Sequence, residues 1–248
     1  MAVLISNHAQ LDVVQITLVK FVGYREWTES LGPDREHLIQ SVQGRLHSYV
    51  VDIFAEYGAI AHPLRYDIML AVTNTLDLDT HLQIWRRVQE KAPVPVVMSV
   101  AVAATVQEAE RKASQMLISP NGGPVLVVDK IPDFDNVCII HADLRDSTSL
   151  MSKLSAYETY VYVENILSTF RKIMQKMCGI ALYLGGDNMI GITTPNNLDM
   201  ELLRKFSQKY NVRIGIGISN VPRLAMMKAT WALDKLRVEK VVDVLAFS

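Results

Sequence analysis

ALYLGGDNMIGIT, residues 181–193, consists of two apolar runs separated by Gly185-Gly186-Asp187-Asn188. The apolar runs have the composition of β-strands, and the two glycines supply the freedom in φ that a tight turn requires. Aspartate and asparagine are common in turns for conformational reasons alone. The stretch therefore predicts a β-hairpin, and it leaves open whether the polar tip is only a turn or part of a functional site.

A second copy of this pattern occurs earlier in the chain and indicates the domain organisation. Residues 57–82 align with residues 178–202 without a gap from the aspartate onward, so that Asp67 corresponds to Asp187 at a constant offset of 120. The following segments also align, with Ala109 corresponding to Ala225 at an offset of 116. The same order of segments occurring twice indicates two copies of one fold.

Apolar periodicity predicts the same order of strands and helices in both copies. The core of that order is β-α-β-β-α-β, so we expect an α+β protein built from tandem duplicated ferredoxin-like domains with antiparallel sheets. In the first copy we predict strands at 16–22, 94–103 and 125–129, helices at 34–56, 78–91 and 106–117, and a hairpin tip at 65–67. In the second copy we predict strands at 137–143, 211–219 and 241–247, helices at 152–177, 198–209 and 221–237, and a hairpin tip at 185–188.

Turn-rich sequence marks the boundary between the copies. PNGGP at 120–124 and IPDFD at 131–135 contain the residues that interrupt regular structure. We therefore divide the chain into four parts. They are an N-terminal extension at 1–14, a first ferredoxin-like repeat at 15–130, a linker at 131–136 and a second repeat at 137–248.

Composition excludes several classes of function. The formal net charge of −1 over 248 residues provides no general attraction to nucleic acid or to an anionic membrane. No apolar run reaches the 18 residues that a membrane span needs. Cys138 and Cys178 each lie in or beside an apolar run, which is typical of buried thiols in a reducing compartment. We expect a cytoplasmic protein with no nucleic-acid partner and no membrane partner.

The two copies differ at the residues that could bind a metal ion. In a split βαβ unit the end of the first strand lies beside the hairpin tip, which brings Asp143 close to Asp187. Two carboxylates in this arrangement suit Mg²⁺. In the first copy Val22 occupies the position of Asp143, and Arg65-Tyr66 replaces Gly185-Gly186. We therefore predict a metal site at a solvent-facing tip of the second copy, with the first copy as scaffold or as a wall of the pocket.

An acid-tipped hairpin beside an acidic first strand resembles the palm-type catalytic core of nucleotidyl cyclases and GGDEF diguanylate cyclases. The Gly-Gly-Asp-Asn tip, the two repeats and the HxD motif at His141–Asp143 are more narrowly similar to the archaeal-type GTP cyclohydrolase III family. Further matching segments are Tyr24 with Trp27-Thr28, REHLIQSVQGRL (35–46), SAYETY (155–160), and GIGI followed by LDKLR (215–237).

This resemblance implies a chemistry and a set of cofactors. Members bind GTP with Mg²⁺, open the imidazole ring at C8 without releasing formate, and cleave the triphosphate to a monophosphate and pyrophosphate. Two Mg²⁺ ions are expected, K⁺ is a further candidate cofactor, and a homo-oligomer is the expected assembly. The catalytic candidates are Asp143, Asp187 and Asn188, of which the two aspartates are the metal ligands.

The substrate-binding candidates each have a structural alternative. Gly185 and Gly186 would let a substrate approach the backbone. Asp146, Ser147 and Thr148 follow the first strand and could offer backbone N–H groups to phosphate or simply cap a helix. The remaining candidates are Lys235 and Arg237, for phosphate or for the helix dipole, and Gln40 and Gln43, for a guanine edge, a neighbouring subunit or solvent.

Two alternative functions remain open at this point. A nucleotidyl cyclase would use the same fold and metals, with the ribose 3′-hydroxyl attacking in place of water. A degenerate nucleotide-binding sensor is the non-enzymatic alternative, and the presence of both Asp143 and Asp187 argues against it. We also expect Tyr157 and Tyr160, which share a helix face, to pack in the core, and His141 to be a hydrogen-bonded core histidine.

Overall fold

The computed structural model describes residues 13–117, 125–128, 135–239 and 243–248. Most of the predicted N-terminal extension and of the linker at 131–136 lies outside the described residues. The first half contains β1 (Val14–Phe21), α1 (Tyr24–Ser30), α2 (Glu36–Glu56), β2 (Ile60–Arg65), β3 (Ile68–Val72), α3 (Leu78–Lys91), β4 (Val96–Ala103), α4 (Val106–Met116) and β5 (Val125–Val128). The second contains β6 (Val137–Leu144), α5 (Ser147–Lys153), α6 (Ala156–Lys176), β7 (Ile180–Gly185), β8 (Asn188–Thr193), a 3₁₀ turn (Pro195–Asn197), α7 (Met200–Tyr210), β9 (Val212–Ser219), α8 (Pro222–Glu239) and β10 (Val244–Phe247).

The two halves form two five-stranded sheets with the same strand order. The first sheet runs β2-β3-β1-β4-β5, and the second runs β7-β8-β6-β9-β10. The other three pairings of each sheet are antiparallel, whereas β5 and β10 pair in parallel with β4 and β9. The order of the first four strands is that of a ferredoxin-like unit. The α+β class predicted from the sequence is therefore confirmed.

Helix α1 was not predicted, and the helix predicted from residue 34 begins at Glu36. Helix α1 has seven residues and no buried side chain, so it carries no apolar periodicity. Gly32, with φ of 82°, and Pro33 separate it from α2. In the second half, Ser155 and Glu158 form a reciprocal capping box that starts α6 and separates it from α5.

The inner faces of the two sheets share one apolar layer. Ile16 and Leu70 of the first sheet belong to the same buried cluster as Ile139 and Ile190 of the second, together with side chains of α4 and α8. Two further clusters fill the space under the outer helices of each half. Within the described ranges, no helix combines the length and the apolar character that crossing a membrane requires.

The edge strands of the two sheets also meet. Nε2 of His62, on β2, donates to the backbone carbonyl of Tyr183, on β7, at 2.6 Å. Gln107, at the start of α4, donates through its side chain to the carbonyl of Gly179 at 3.0 Å. The two halves are therefore joined by hydrogen bonds as well as by the apolar layer that they share.

Two glycines let helix α8 lie directly on strand β9. A Cβ atom at Gly217 would lie 1.9 Å from the carbonyl oxygen of Ala225, and one at Gly215 would lie 2.1 Å from that of Ala229. Both distances are far below van der Waals contact, and both neighbours are backbone atoms that cannot rotate away. The GIGI segment thus fixes the distance between α8 and the second sheet.

We expect Gly217→Ala to destabilise the protein by at least roughly 2 kcal/mol, because overpacking against fixed backbone commonly costs about 1–3 kcal/mol. Urea denaturation measures the loss of unfolding free energy. Gly44→Ala is the matched control: Gly44 lies inside α2 with open space around it, so the added methyl should be neutral or slightly stabilising. Equal midpoints for Gly217→Ala and the wild type would contradict the close packing of α8.

Candidate active site

Asp143 is a buried carboxylate near the end of β6. Its side chain is 7% exposed, and strand pairing places it opposite Asn188 on β8 and opposite Arg213 on β9. Nη1 of Arg213 lies 3.1 Å from Oδ2 of Asp143, and Nη2 of Arg237, from α8, lies 3.2 Å from the same oxygen. The expectation of a solvent-facing acid is therefore wrong for Asp143, whose buried charge is compensated by two guanidinium groups.

The two arginines leave the other oxygen of Asp143 uncommitted. Both guanidinium groups contact Oδ2, and no described residue donates a hydrogen bond to Oδ1. A carboxylate oxygen without a donor is an available ligand for a cation or for a polar group of a substrate.

The hairpin tip is a two-residue turn of Gly186 and Asp187 between β7 and β8, with Gly185 paired to Asn188. Gly185 has φ of 112° and Gly186 has φ of 60°, values that side-chain-bearing residues rarely adopt. A Cβ atom at either position would meet nothing within 4 Å. Backbone conformation, and not crowding, therefore requires glycine here, and the space over the tip is open to a ligand.

Asn188 connects the tip to the interior. Its Nδ2 donates to Oδ1 of Asp187 at 3.0 Å, and its Oδ1 accepts from Nε2 of His141 at 3.1 Å. Nδ1 of His141 lies 3.4 Å from the hydroxyl of Thr230 on α8. This chain of contacts fixes the side-chain orientations of Asn188 and Asp187.

His141 is the buried, hydrogen-bonded core histidine that the sequence predicts. Burial lowers its pKa, while the hydrogen bond to Asn188 and the charge of Asp143 act in the opposite direction. The neutral imidazole is therefore the form present at neutral pH. Because Asn188 presents an oxygen that can only accept, the proton of that imidazole lies on Nε2.

The corresponding tip of the first half has a different chemistry. Asp67 lies between β2 and β3, the position that Asp187 has between β7 and β8. Its carboxylate pairs with Nε of Arg65 at 3.0 Å. The predicted correspondence of Val22 with Asp143 is wrong by two residues, because Lys20 is the residue whose strand partners, Ile68 and Val97, correspond to those of Asp143. The first-half tip therefore presents an aspartate paired with its own arginine, and a lysine in place of the acid of the first strand.

The other predicted substrate-binding residues are distributed over three regions. Arg237 reaches Asp143, whereas the ammonium group of Lys235 lies 5.9 Å from the ring centre of Phe247. Asp146 has a left-handed backbone, with φ of 57°, and immediately precedes α5, which begins with Ser147 and Thr148. Asp146 therefore ends the turn that follows β6, and Ser147 and Thr148 are the first residues of α5.

Gln40 and Gln43 lie on α2 of the first half. Gln40 is exposed, whereas Gln43 is buried and donates through Nε2 to the hydroxyl of Tyr24. The recorded contact of Gln43 is thus with the first half, and a guanine-binding role for either glutamine stays a prediction.

Sequence reasoning missed Arg213 and misplaced two tyrosines. Arg213 is the charged residue of an otherwise apolar and glycine-rich strand, and its counterpart in the first repeat is Val97. A comparison of the two repeats at this position could have found it.

Tyr157 and Tyr160 are 74% and 51% exposed and stack on each other with ring centres 6.4 Å apart, so the expectation that they pack in the core is wrong.

Fold and site together define an α+β protein with two ferredoxin-like halves and a buried acid next to an acidic, glycine-containing hairpin tip in the second. The family model for GTP cyclohydrolase III matches residues 14–247. The chain therefore belongs to the GTP cyclohydrolase III family of enzymes.

Relatives named GTP cyclohydrolase III cover most of the chain. The protein from Pyrobaculum aerophilum is 33% identical over 230 residues, which is 93% of this chain and 97% of the relative. The protein from Saccharolobus islandicus strain M.16.27 is 30% identical over 226 residues, covering 90% of this chain and 95% of the relative.

Solved structures give a weaker likeness. A class III adenylyl cyclase-like ATP-binding protein from Pseudomonas aeruginosa has a TM-score of 0.35 at 10% identity, covering 84% of this chain and 74% of that one. A bacterial light-regulated adenylyl cyclase has a TM-score of 0.33 at 9% identity, with coverage of 84% and 73%. Likenesses of this size say nothing about activity.

We expect the pKa of His141 to lie below the ordinary value of about 6.5, because burial disfavours the imidazolium. In Asp143→Asn the pKa should fall further, since the lost negative charge had favoured the protonated ring and both arginines remain. An NMR pH titration of the imidazole protons measures both values, with His141→Gln identifying the resonance. A His141 midpoint at or above 6.5 would refute the burial argument.

Proposed function

We propose that the protein is a Mg²⁺-dependent GTP cyclohydrolase that converts GTP to 2-amino-5-formylamino-6-ribosylamino-pyrimidinone 5′-phosphate and pyrophosphate. Family membership supports the activity class. The observation that carries the choice of site is the buried Asp143, held by Arg213 and Arg237 directly opposite the Gly-Gly-Asp-Asn tip.

Two molecules of water balance the reaction. One adds at C8 and breaks the C8–N9 bond, which leaves a formyl group on N7 and the ribosylamino group on the pyrimidinone. The other cleaves the bond between the α-phosphorus and its bridging oxygen, releasing pyrophosphate and leaving a 5′-monophosphate. The ring-opened product thus has the mass of GMP plus one water.

The residues at the tip fit a hard divalent cation. Oδ1 of Asp143 has no donor among the described residues, and Asp187 adds a second carboxylate beside it in the fold. No group of three or more His, Cys, Asp or Glu side chains that could hold a metal is found in the described part of the chain. A cation here would therefore depend on Asp143, Asp187, backbone or amide oxygens and substrate phosphates, as is common for Mg²⁺.

When bound, Mg²⁺ supplies polarisation of the phosphate oxygens and activation of water. We propose two such ions held by Asp143 and Asp187, with K⁺ as a further candidate cofactor. Asn188, fixed by His141, holds the Asp187 carboxylate in one orientation. The neutral imidazole of His141 adds no positive charge that would compete with a cation.

The arginines are the groups that would bind the triphosphate. A planar guanidinium group can donate two parallel hydrogen bonds to phosphate oxygens. The Asp143 carboxylate already holds both arginine side chains beside it. Arg237 and Arg213 come from different elements, α8 and β9, so together they could reach two sides of the same phosphate chain. Gly185 and Gly186 leave open space for that chain. The start of α5 at 146–148, Lys235, Gln40 and Gln43 stay as substrate-binding predictions.

Incubation with GTP and Mg²⁺ followed by mass spectrometry tests the proposal. A product with the mass of GMP plus one water, together with pyrophosphate, is expected. A nucleotidyl cyclase would instead give pyrophosphate with a product of the mass of GMP minus one water, and a sensor would give no product. Light scattering of the same sample tests the proposed homo-oligomer.

We expect Asp143→Asn and Asp187→Asn each to lower pyrophosphate release by on the order of 100-fold or more, which is roughly 3 kcal/mol of transition-state stabilisation. Asp67→Asn, at the matching turn of the first half, should retain most activity. Thermal melts accompany the assays, and Asp143→Asn should also melt earlier because two arginines lose their buried partner. Loss of activity in Asp67→Asn alone, with an unchanged melt, would place the active centre in the other half.

We also expect GTP to be turned over at least about tenfold faster than ATP at equal subsaturating concentration, since a hydrogen-bonding site rejects a base that leaves its polar groups unpaired. Paired assays with each nucleotide and Mg²⁺ measure this ratio. Similar rates for both nucleotides would contradict a guanine-selective site and favour a general nucleotide-cleaving activity.

A further inference from the structure

A cavity of about 530 Å³ lies at the hairpin tip of the first half, at the position that corresponds to the candidate active site of the second. The residues that carry the argument are Lys20, Arg25, Arg65, Tyr66 and Asp67, all of which line it. We call it the first-half cavity. Its volume is within the range of sites for small molecules. The proposed cyclohydrolase reaction uses none of these residues.

The first-half cavity is lined by three basic side chains, Lys20, Arg25 and Arg65, and by two acidic ones, Glu26 and Asp67. Lys20 stands where the second half has Asp143, because its strand partners Ile68 and Val97 correspond to the partners Asn188 and Arg213 of that acid. Arg65 replaces Gly185, which adds a cation directly at the tip. A site that has lost an acid and gained two basic side chains is unsuited to a divalent cation and suited to an anion.

The basic groups are available for a ligand. Lys20 is half-buried and has no ion-pair partner among the residues that the structure describes. Arg25 and Arg65 pair with Glu29 and Asp67 at 2.8 and 3.0 Å, with arginine side chains 84% and 69% exposed. Exposed pairs of this kind are weak, so an incoming anion with more than one charge can compete for both arginines.

The backbone holds the cavity in shape, and an aromatic ring borders it. The amide of Phe21 donates to the carbonyl of Asp67 at 3.0 Å, which ties the tip to the end of β1. Tyr66 is 61% exposed at the turn. Exposed aromatic rings bind nucleobases by stacking, and this contact adds affinity without regard to base identity.

We infer that the first-half cavity is a second binding site, which takes a polyphosphate group directly on Lys20, Arg25 and Arg65 without a divalent cation. Pyrophosphate and the triphosphate of a nucleotide present the same chemistry, and both fit a site of this charge. A nucleotide would in addition place its base against Tyr66. The site is for binding only, because the paired acids needed to hold catalytic metals are present in the second half alone.

Calorimetric titration with pyrophosphate in excess EDTA tests the inference, since chelation removes any binding that depends on Mg²⁺. We expect wild type to bind, Lys20→Gln and Arg65→Gln each to bind at least about tenfold more weakly, and Lys172→Gln, an exposed lysine on α6, to bind as wild type does. Arg65 is exposed at a turn, so its variant should fold even if Lys20→Gln does not. No binding to wild type, or equal binding to Arg65→Gln, would overturn the inference.

Hydrogen exchange locates the bound pyrophosphate, because Arg213 and Arg237 could also attract it. Protection should appear in peptides covering residues 20–26 and 65–67, and it should persist in Arg237→Gln. Protection confined to the second half would also overturn the inference. None of these readouts depends on turnover, so a failure of the proposed cyclohydrolase activity would leave them unaffected.

A parallel titration with GTP in EDTA distinguishes the two sources of the polyphosphate. If a nucleotide is the ligand, GTP binds more tightly than pyrophosphate and Tyr66→Ala removes that difference while leaving pyrophosphate binding unchanged. Equal affinity of the two ligands for wild type, unaffected by Tyr66→Ala, identifies the free polyphosphate as the ligand.

Discussion

The close seating of helix α8 on strand β9 is the constraint on which the second half depends. It is possible because Gly215 and Gly217 present bare backbone to the helix, at distances where any side chain would collide with main-chain atoms. From this seat α8 projects Thr230 toward His141 and Arg237 toward Asp143. The contact between α8 and the two glycines of β9 thus determines which side chains of the helix reach the candidate site.

Asp143 in turn depends on two arginines for its place in the interior. A lone buried carboxylate is unfavourable, and each guanidinium group that faces it lessens the penalty. The three side chains come from β6, β9 and α8, so the ion pairs link the central strand, its neighbour and the covering helix. The arrangement combines a structural role with a chemical one. The arginines compensate the acid through one oxygen, and the other oxygen remains open to a ligand.

The sequence was sufficient to predict the elements that are repeated and periodic. Both hairpins, the helix at Leu78–Lys91 and the strand order followed from apolar patterning and from the alignment of the two repeats. Apolar patterning placed Asp143 on the correct strand, but the alignment gave it Val22 as counterpart in the first copy, where the strand pairing gives Lys20. The burial of Asp143 was not predicted, because strand topology locates the backbone near the tip without telling which neighbouring side chains will enclose it.

The failures have physical causes of the same kind. Helix α1 buries no side chain, so it leaves no periodic signal in the sequence. Tyr157 and Tyr160 lie on one helix face, but periodicity cannot tell whether a face is covered, and this one is exposed. Arg213 was not predicted as a site residue, because a single charged residue at the end of a strand is common. Its role depends on Asp143, which lies opposite it on the neighbouring strand.

The bond between His62 and the carbonyl of Tyr183 joins β2 to β7, which are the outermost strands of their sheets. An outer strand of a sheet carries unpaired backbone groups that can recruit a strand of another molecule. The first half therefore occupies one backbone carbonyl of the outer strand of the second, while their inner faces share one apolar layer. Separating the two halves would expose the outer strand β7 at Tyr183 and the apolar layer that the sheets share. Each half on its own would therefore tend to self-associate.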